Sequence, residues 1–246
     1  MNRDKSRVCF EASYNNGKAQ RPRAKATSKV LENYSDKVSV IPIGLDKTTY
    51  AKAEASHVQF WREKLGEKFF LFVGVLRYYK GLHILLDAIA GLDYPVVIAG
   101  SGPIENQLFE HAQRLNLKNI HFINRVSDED KVALFTLCYG VIFPSHLRSE
   151  AFGISLLEGA MFGKPMISSE IGTGTTFINI DRETGLVVPP ADSNSLREAM
   201  QYLWENPSTA QLMGKKAADR YRELFGAEKM VSSFTKLYSD LAPPHK

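Results

Sequence analysis

Ser149-Glu150-Ala151-Phe152-Gly153-Ile154-Ser155-Leu156-Leu157-Glu158-Gly159-Ala160-Met161-Phe162-Gly163-Lys164-Pro165 is the stretch whose reading decides the fold. Apolar side chains at Ile154, Leu157 and Met161 fall at i, i+3 and i+7, the stripe of a core-facing helix. That helix begins near Gly153 and is stopped by Gly163-Lys164-Pro165. Glu158 is the i+4 member of the same stripe. An ionised carboxylate on a buried face is costly unless something hydrogen-bonds it, so Glu158 asks for a partner. The plainer alternative, a Glu at the edge of the stripe reaching water, is the commoner fate of a single Glu.

Glu150 changes that balance. It precedes the helix with Ala-Phe-Gly between it and the first turn, where backbone N–H groups lack intrahelical partners and can point at an oxygen-rich ligand. On a continuous helix, eight residues at about 1.5 Å each would set the two carboxylates roughly 12 Å apart. A glycosidase acid/base pair needs about 5 to 9.5 Å. Two carboxylates at this spacing suit the two ends of one elongated, hydroxyl-rich ligand.

Working outward, strand and helix alternate on both sides of this stretch. Phe69-Phe70-Leu71-Phe72-Val73, closed by Gly74, is a continuous apolar run of the kind found in a central parallel strand covered on both faces. Further strands are expected at 95–99, 119–123, 141–143, 165–168 and 185–188, with a short β-branched strand between Asp36 and Pro42. Helices are expected over 81–89, 104–115, 128–138 behind the N-cap Ser127, and 193–205 behind Asp192. Residues 208–241 read as helical, with a break at Gly226. Short connections between alternating elements imply a Rossmann-like, doubly wound α/β sheet, parallel and right-handed, with helices on both faces and a helical C-terminus. Ligands of such sheets lie at the carboxyl ends of the strands.

Three of those ends carry chemistry. Gly74-Val75-Leu76-Arg77-Tyr78-Tyr79-Lys80-Gly81 sets two cations, Arg77 and Lys80, between a strand end and a helix start, an anion site suited to a pyrophosphate; a solvated basic loop is the competing reading. Gly100-Ser101-Gly102-Pro103 lacks the third glycine of a dinucleotide fingerprint and has apolar residues where its acidic partner should fall. It is weak evidence for a nicotinamide cofactor, and Gly100 and Gly102 read as a tight turn bringing backbone to a ligand. Pro144-Ser145 leads to Glu150. The histidines show no metal-ligand spacing, and no nucleophile-elbow, zincin or Walker motif is present.

Composition narrows the class. The 246 residues are 44% hydrophobic and 24% charged, a globular balance. The formal net charge of +4 is unevenly spread: residues 1–29 hold eight Lys and Arg against Asp4 and Glu11, whereas the remaining 217 carry 23 basic and 25 acidic side chains. The basicity belongs to an N-terminal arm, which gives no case for a nucleic-acid partner and leaves attraction to a membrane surface as the weaker reading of residues 1–29. No apolar run approaches the ~20 residues of a membrane span, and the first residues do not form a signal peptide. Cys9 and Cys138 lie far apart without metal spacing. Cys138 is expected as a buried thiol, in keeping with a reducing, cytoplasmic compartment.

Glu150-Ala-Phe-Gly-Ile-Ser-Leu-Leu-Glu158 resembles the E-x7-E motif of the family-4 retaining glycosyltransferases of GT-B fold. Residues 40–46, 72–81, 97–103, 163–165, 185–189 and 192–200 resemble further segments of that family's C-terminal, nucleotide-sugar-binding half, in order and spacing, so that the likeness covers roughly 35–241. The resemblance implies that Glu158 binds ribose hydroxyls, with Leu157 beside it. It implies that Glu150 and the N–H groups of Ala151, Phe152 and Gly153 face the sugar, that Glu150 and Lys80 are the catalytic pair with Lys80 on the diphosphate, and that Val126, in the loop Asn124-Arg125-Val126, lies near the base.

The donor so implied is a UDP- or GDP-hexose, with no metal and no other cofactor, and the acceptor a saccharide or lipid-linked saccharide. The family commonly has Gly-Arg-Leu where this chain has Gly74-Val75-Leu76, and Arg77 is expected to replace the absent cation. Its usual glycine pair after the motif appears here as Gly172-Thr173-Gly174, within a glycine-rich turn expected over 172–176. The family's acceptor-binding N-terminal half has no counterpart here, which divides the chain into a basic arm (1–34), a donor-binding domain (35–241) and a tail (242–246). Such a half, alone, is expected to bind donor weakly and turn over little. The resemblance also points to polysaccharide biosynthesis at the bacterial surface, with the protein peripheral to the inner face of the membrane. The rival readings are a non-catalytic interaction module on the same scaffold and a sugar-nucleotide epimerase relative.

Overall fold

A computed structural model describes Arg7–Cys9 and residues 38–241. The arm 1–34 lies outside the described residues except for its Arg7–Cys9 segment, and the tail 242–246 lies outside them altogether. Arg7–Cys9 (β1) is a strand that pairs parallel with Val38–Val40 (β2), Val8 opposite Ser39.

The remaining strands form one six-stranded, wholly parallel sheet. They are Phe70–Val73 (β3), Val96–Ala99 (β4), Ile120–Ile123 (β5), Gly140–Phe143 (β6), Met166–Ser169 (β7) and Gly185–Val188 (β8), in the spatial order β5-β4-β3-β6-β7-β8. The intervening helices are Ala55–Leu65 (α1) before β3, Leu82–Ile89 (α2), Glu105–Arg114 (α3), Asp128–Leu137 (α4), Ile154–Met161 (α5), the short Thr175–Ile178 (α6), Ser193–Glu205 (α7), Pro207–Leu224 (α8) and Ala227–Leu241 (α9). β3 reaches outward to β4 and β5, after which the chain returns to place β6 on the other side of β3. That reversal is the topological switch point of the sheet, where doubly wound folds open a crevice.

Both faces of the sheet are covered. Phe69 and Leu71 belong to one core cluster, with Val97, Val141, Phe143, Leu156 and Leu157; Phe70 and Phe72 belong to the other, with Leu85, Leu86, Ile98, Ile142 and Leu196. The uninterrupted apolar run of β3 is thus what a strand needs when period-2 alternation sends every side chain into one core or the other. Ser127 caps α4 by accepting from the Asp130 N–H at 3.0 Å, and Asp192 caps α7 by accepting from Asn194 and Ser195. Cys138 is buried, its thiol pushed up to about 12 by that burial.

Three local expectations need correction. Ile154 is 44% exposed, because α5 turns its first residue outward at the mouth of a cavity, and the buried face is made by Leu156, Leu157 and residues 159–161. The Gly172–Thr176 segment is not a turn throughout: Thr175 opens α6. Helix α1 has no counterpart among the expected elements; its Trp61 and Leu65 are buried, but its other side chains are partly or fully exposed, which blurs the apolar stripe. The break at Gly226 is present, and there the chain pairs with Leu45 through Leu45 N–H to Phe225 O (2.9 Å) and Ala227 N–H to Leu45 O (3.1 Å). No helix among the described residues is long and apolar enough to cross a membrane.

Candidate functional site

The loop after β3 and the loop after β6 meet at the switch point, and a cavity of about 530 Å³ opens there. Its walls include Gly74 and Lys80 from the first loop, residues 149–155 and Glu158 from the second loop and α5, and Lys131 from α4. The loops lie so close that a Cβ on Gly81 would sit 2.0 Å from the Pro144 carbonyl, and Gly81 itself is left-handed at φ +70°. Glycine is required at this contact on both counts.

Each carboxylate of the motif is held by a lysine and a hydroxyl. Glu150, 8% exposed, pairs through Oε2 with the Lys80 ammonium and accepts on the same oxygen from Ser145 Oγ at 3.2 Å. Glu158, 5% exposed, pairs through Oε1 with Lys131 Nζ at 3.1 Å and accepts on that oxygen from the Tyr50 hydroxyl at 2.9 Å. Burial, and then the charge of Glu158, push the Tyr50 hydroxyl well above the ordinary tyrosine range, so it stays a donor. The partner that Glu158 demanded is therefore present twice over.

Between the two carboxylates the backbone is open. Gly153 caps α5 in the left-handed region at φ +101°, and the N–H groups of Ala151, Phe152 and Gly153 find no acceptor among the described residues. With the unpaired N–H groups of the first helical turn they form a row of donors along the cavity wall. The cavity thus offers two carboxylates, two ammonium groups and a strip of amide donors, a set that matches a ligand carrying both hydroxyls and phosphate.

Residues 54–220 match the family described as Glycosyl transferases group 1. The chain belongs to this family. It is 62% identical over 85% of its length to D-rhamnosyltransferase WbpZ of Pseudomonas aeruginosa and 51% identical over 91% of its length to O-antigen chain mannosyltransferase C of Escherichia coli. The chain spans 55% and 60% of those relatives' lengths. Among solved structures it resembles Anabaena Alr3699/HepE in complex with UDP-glucose, with a TM-score of 0.74 at 21% identity, covering 84% of this chain and 58% of that one. That likeness is one of fold, the GT-B type.

In this group 1 domain the expected site residues divide. Glu150, Glu158, Lys80, Ala151, Phe152 and Gly153 line one cavity. Leu157, beside Glu158 in sequence, is wholly buried, and its N–H is spent on the Gly153 carbonyl at 3.0 Å. Gly100 and Gly102 are tight for an internal reason: a Cβ would lie 2.0 Å from the Gly74 carbonyl in the first case and 2.3 Å from the Leu76 carbonyl in the second. They bring the loop after β4 against the loop after β3 and stand outside the cavity lining. Arg77 is exposed on the turn before Lys80, and Val126 is half-buried against the core; neither lines the cavity. Ser145 stands at a strand end five residues before Glu150; Tyr50 and Lys131 are not recognisable from the sequence. Their only signal is the unmet demand of Glu158, and nothing in local spacing says which distant side chain meets it.

Proposed function

We propose that this chain is the donor-binding half of a family-4 retaining glycosyltransferase, moving a hexose from UDP or GDP to a hydroxyl of a saccharide or lipid-linked saccharide. The observation that carries this reading is the convergence of Glu150, Glu158, Lys80 and the free N–H groups of 151–153 on one cavity at the switch point. Glu158 accepts from the ribose hydroxyls, Glu150 and the three amides face the sugar, and Lys80 with Arg77 neutralises the diphosphate, so that no metal is needed. Val126 borders the base. The acceptor oxygen approaches C1 from the face on which the diphosphate leaves; the C1–O bond to phosphate breaks as the new one forms, and the acceptor proton passes to a diphosphate oxygen.

The names of the two close relatives support a sugar of D-manno configuration, since D-rhamnose is 6-deoxy-D-mannose, and a place in surface polysaccharide assembly. Their greater length supports an acceptor half beyond these 246 residues, with 35–241 as the donor unit and the basic arm meeting the inner face of the membrane. Intact Glu150, Glu158 and Lys80 weigh against a non-catalytic module. Calorimetric titration with UDP and with GDP tests the reading: one should bind, EDTA should not alter it, and Glu158→Ala should weaken it, whereas Glu150→Ala should mainly abolish the added affinity of the sugar-linked form. Efficient transfer by these 246 residues unaided would refute the half-enzyme part of the proposal.

A further inference from the structure

The two glutamates of the cavity are held alike, each through one oxygen by one lysine and one hydroxyl, but the holders have different origins. Those of Glu150 come from the loops that build the site. Those of Glu158 come from elsewhere: Tyr50 from the segment ahead of α1 and Lys131 from the first turns of α4. Lys131 also lies over the Tyr50 ring at 5.1 Å and within 3.6 Å of Asp128 Oδ1, so that Tyr50, Lys131 and Glu158 form a closed triangle of hydroxyl-to-carboxylate, ion-pair and cation–π contacts. Tyr50 is itself fixed by edge packing on Phe162 at 6.4 Å, which stacks on Phe135 at 5.4 Å.

We infer that Tyr50 and Lys131 are positioning residues for donor recognition: by engaging Glu158 Oε1 together, they lock the carboxylate and turn Oε2 into a single-oxygen acceptor for the ligand's vicinal diol. Oε2 accepts no hydrogen bond from the described residues, while Glu158 lines the cavity. A carboxylate free to rotate would present either oxygen at a loss of orientation; one oxygen doubly engaged leaves the other in a fixed direction. The inference rests on the donor-site reading, in which the diol at Glu158 is a ribose.

The test uses UDP and GDP beside their 2′-deoxy and 2′,3′-dideoxy forms, titrated calorimetrically into the parent chain and into the Tyr50→Phe, Lys131→Met, Lys131→Arg and Glu158→Ala variants. Whichever nucleotide binds, the parent should prefer the ribo form. Tyr50→Phe and Lys131→Met should each lower affinity for it by roughly five- to tenfold, about the worth of one ordinary hydrogen bond, while barely changing affinity for the dideoxy form, so that the preference collapses. Lys131→Arg should restore much of it. Equal losses for ribo and dideoxy forms would make the triangle a mere structural brace and overturn the inference, as would unchanged ribo preference in both variants beside a weakened Glu158→Ala. A Glu158→Ala chain that binds like the parent would instead sink the donor-site reading, and this inference with it.

Discussion

Strand β3 is flanked in sequence by two lysines, and the fold puts the two to different use. Lys68, just before the strand, lies 3.8 Å from the Trp204 ring centroid and 4.5 Å from that of Tyr139, and donates to the Trp204 carbonyl at 3.3 Å. Burial lowers its pKa, and Tyr94 stacks on the same indole at 4.5 Å. Lys80, just after the strand, meets a carboxylate at the wall of a cavity. Lys80 also lies near aromatic rings, 5.0 Å from the Phe143 centroid and 5.3 Å from that of Tyr79, but it keeps a carboxylate partner that a ligand can share, whereas Lys68 serves stability. In a parallel sheet every strand delivers its carboxyl end to the same edge, so the direction of the chain alone decides which lysine can be chemical.

That contrast can be broken by experiment. Trp204→Ala should cost about 3 kcal/mol of unfolding free energy, since it opens the aromatic box at the amino end. The folded protein should bind nucleotide as before, which urea denaturation paired with titration would reveal. Gly100→Ala sharpens the comparison by placing a purely structural demand at the ligand end. With the residue at φ +144° and a Cβ 2.0 Å from the Gly74 carbonyl, a loss of about 2–3 kcal/mol is expected, again with nucleotide affinity retained by the folded fraction.

Lys80→Ala should do the reverse. Diphosphate affinity should fall about thirtyfold, about 2 kcal/mol, and a UDP-against-uridine or GDP-against-guanosine comparison would isolate the phosphate contribution. A lesser change in stability should accompany it, because Glu150 keeps Ser145.

The smallest effect concerns His83 and His146, which pack edge-on at 5.2 Å beside the Lys80 turn, His83 stacked on Tyr78 at 5.0 Å. Burial lowers both, and in His83 the neighbouring His146 adds to the shift. The folded state therefore prefers neutral imidazoles, the unfolded chain takes up protons first as pH falls through about 6.5, and stability is lost below that point. Thermal unfolding between about pH 7.5 and 5 should record the drop, and a His83→Asn/His146→Asn chain should show a shallower one.

Much of the fold is legible in the sequence because its signals are local. The β3 run, the caps Ser127 and Asp192, and Gly226 at the helix break each announce themselves within a few residues. The site is legible where the chain itself supplies adjacency: Glu150, the amides of 151–153 and Glu158 lie within nine positions, and Lys80 lies at a strand end. It fails where proximity is made by folding. Lys131 is 27 residues and Tyr50 108 residues from Glu158, and no periodicity links them. Gly100 and Gly102 show the converse error: a glycine signals close backbone approach, but not what approaches, and here it is the protein's own loop. Ile154 illustrates a third limit, since a helix stripe predicts burial only while another element covers it, and the first turn of α5 faces the cavity.

The paired glutamates and lysines have a consequence for kinetics. The four charged side chains lining the cavity, Lys80, Lys131, Glu150 and Glu158, sum to zero, so the resting cavity wall carries no net charge to draw in a distant anion. Long-range steering, which salt screens over a Debye length of about 8 Å at physiological ionic strength, has little to act on at the wall itself. A nucleotide's association rate should then vary only weakly with salt, and its selectivity should lie in how slowly it leaves once its own oxygens have taken a share of each lysine.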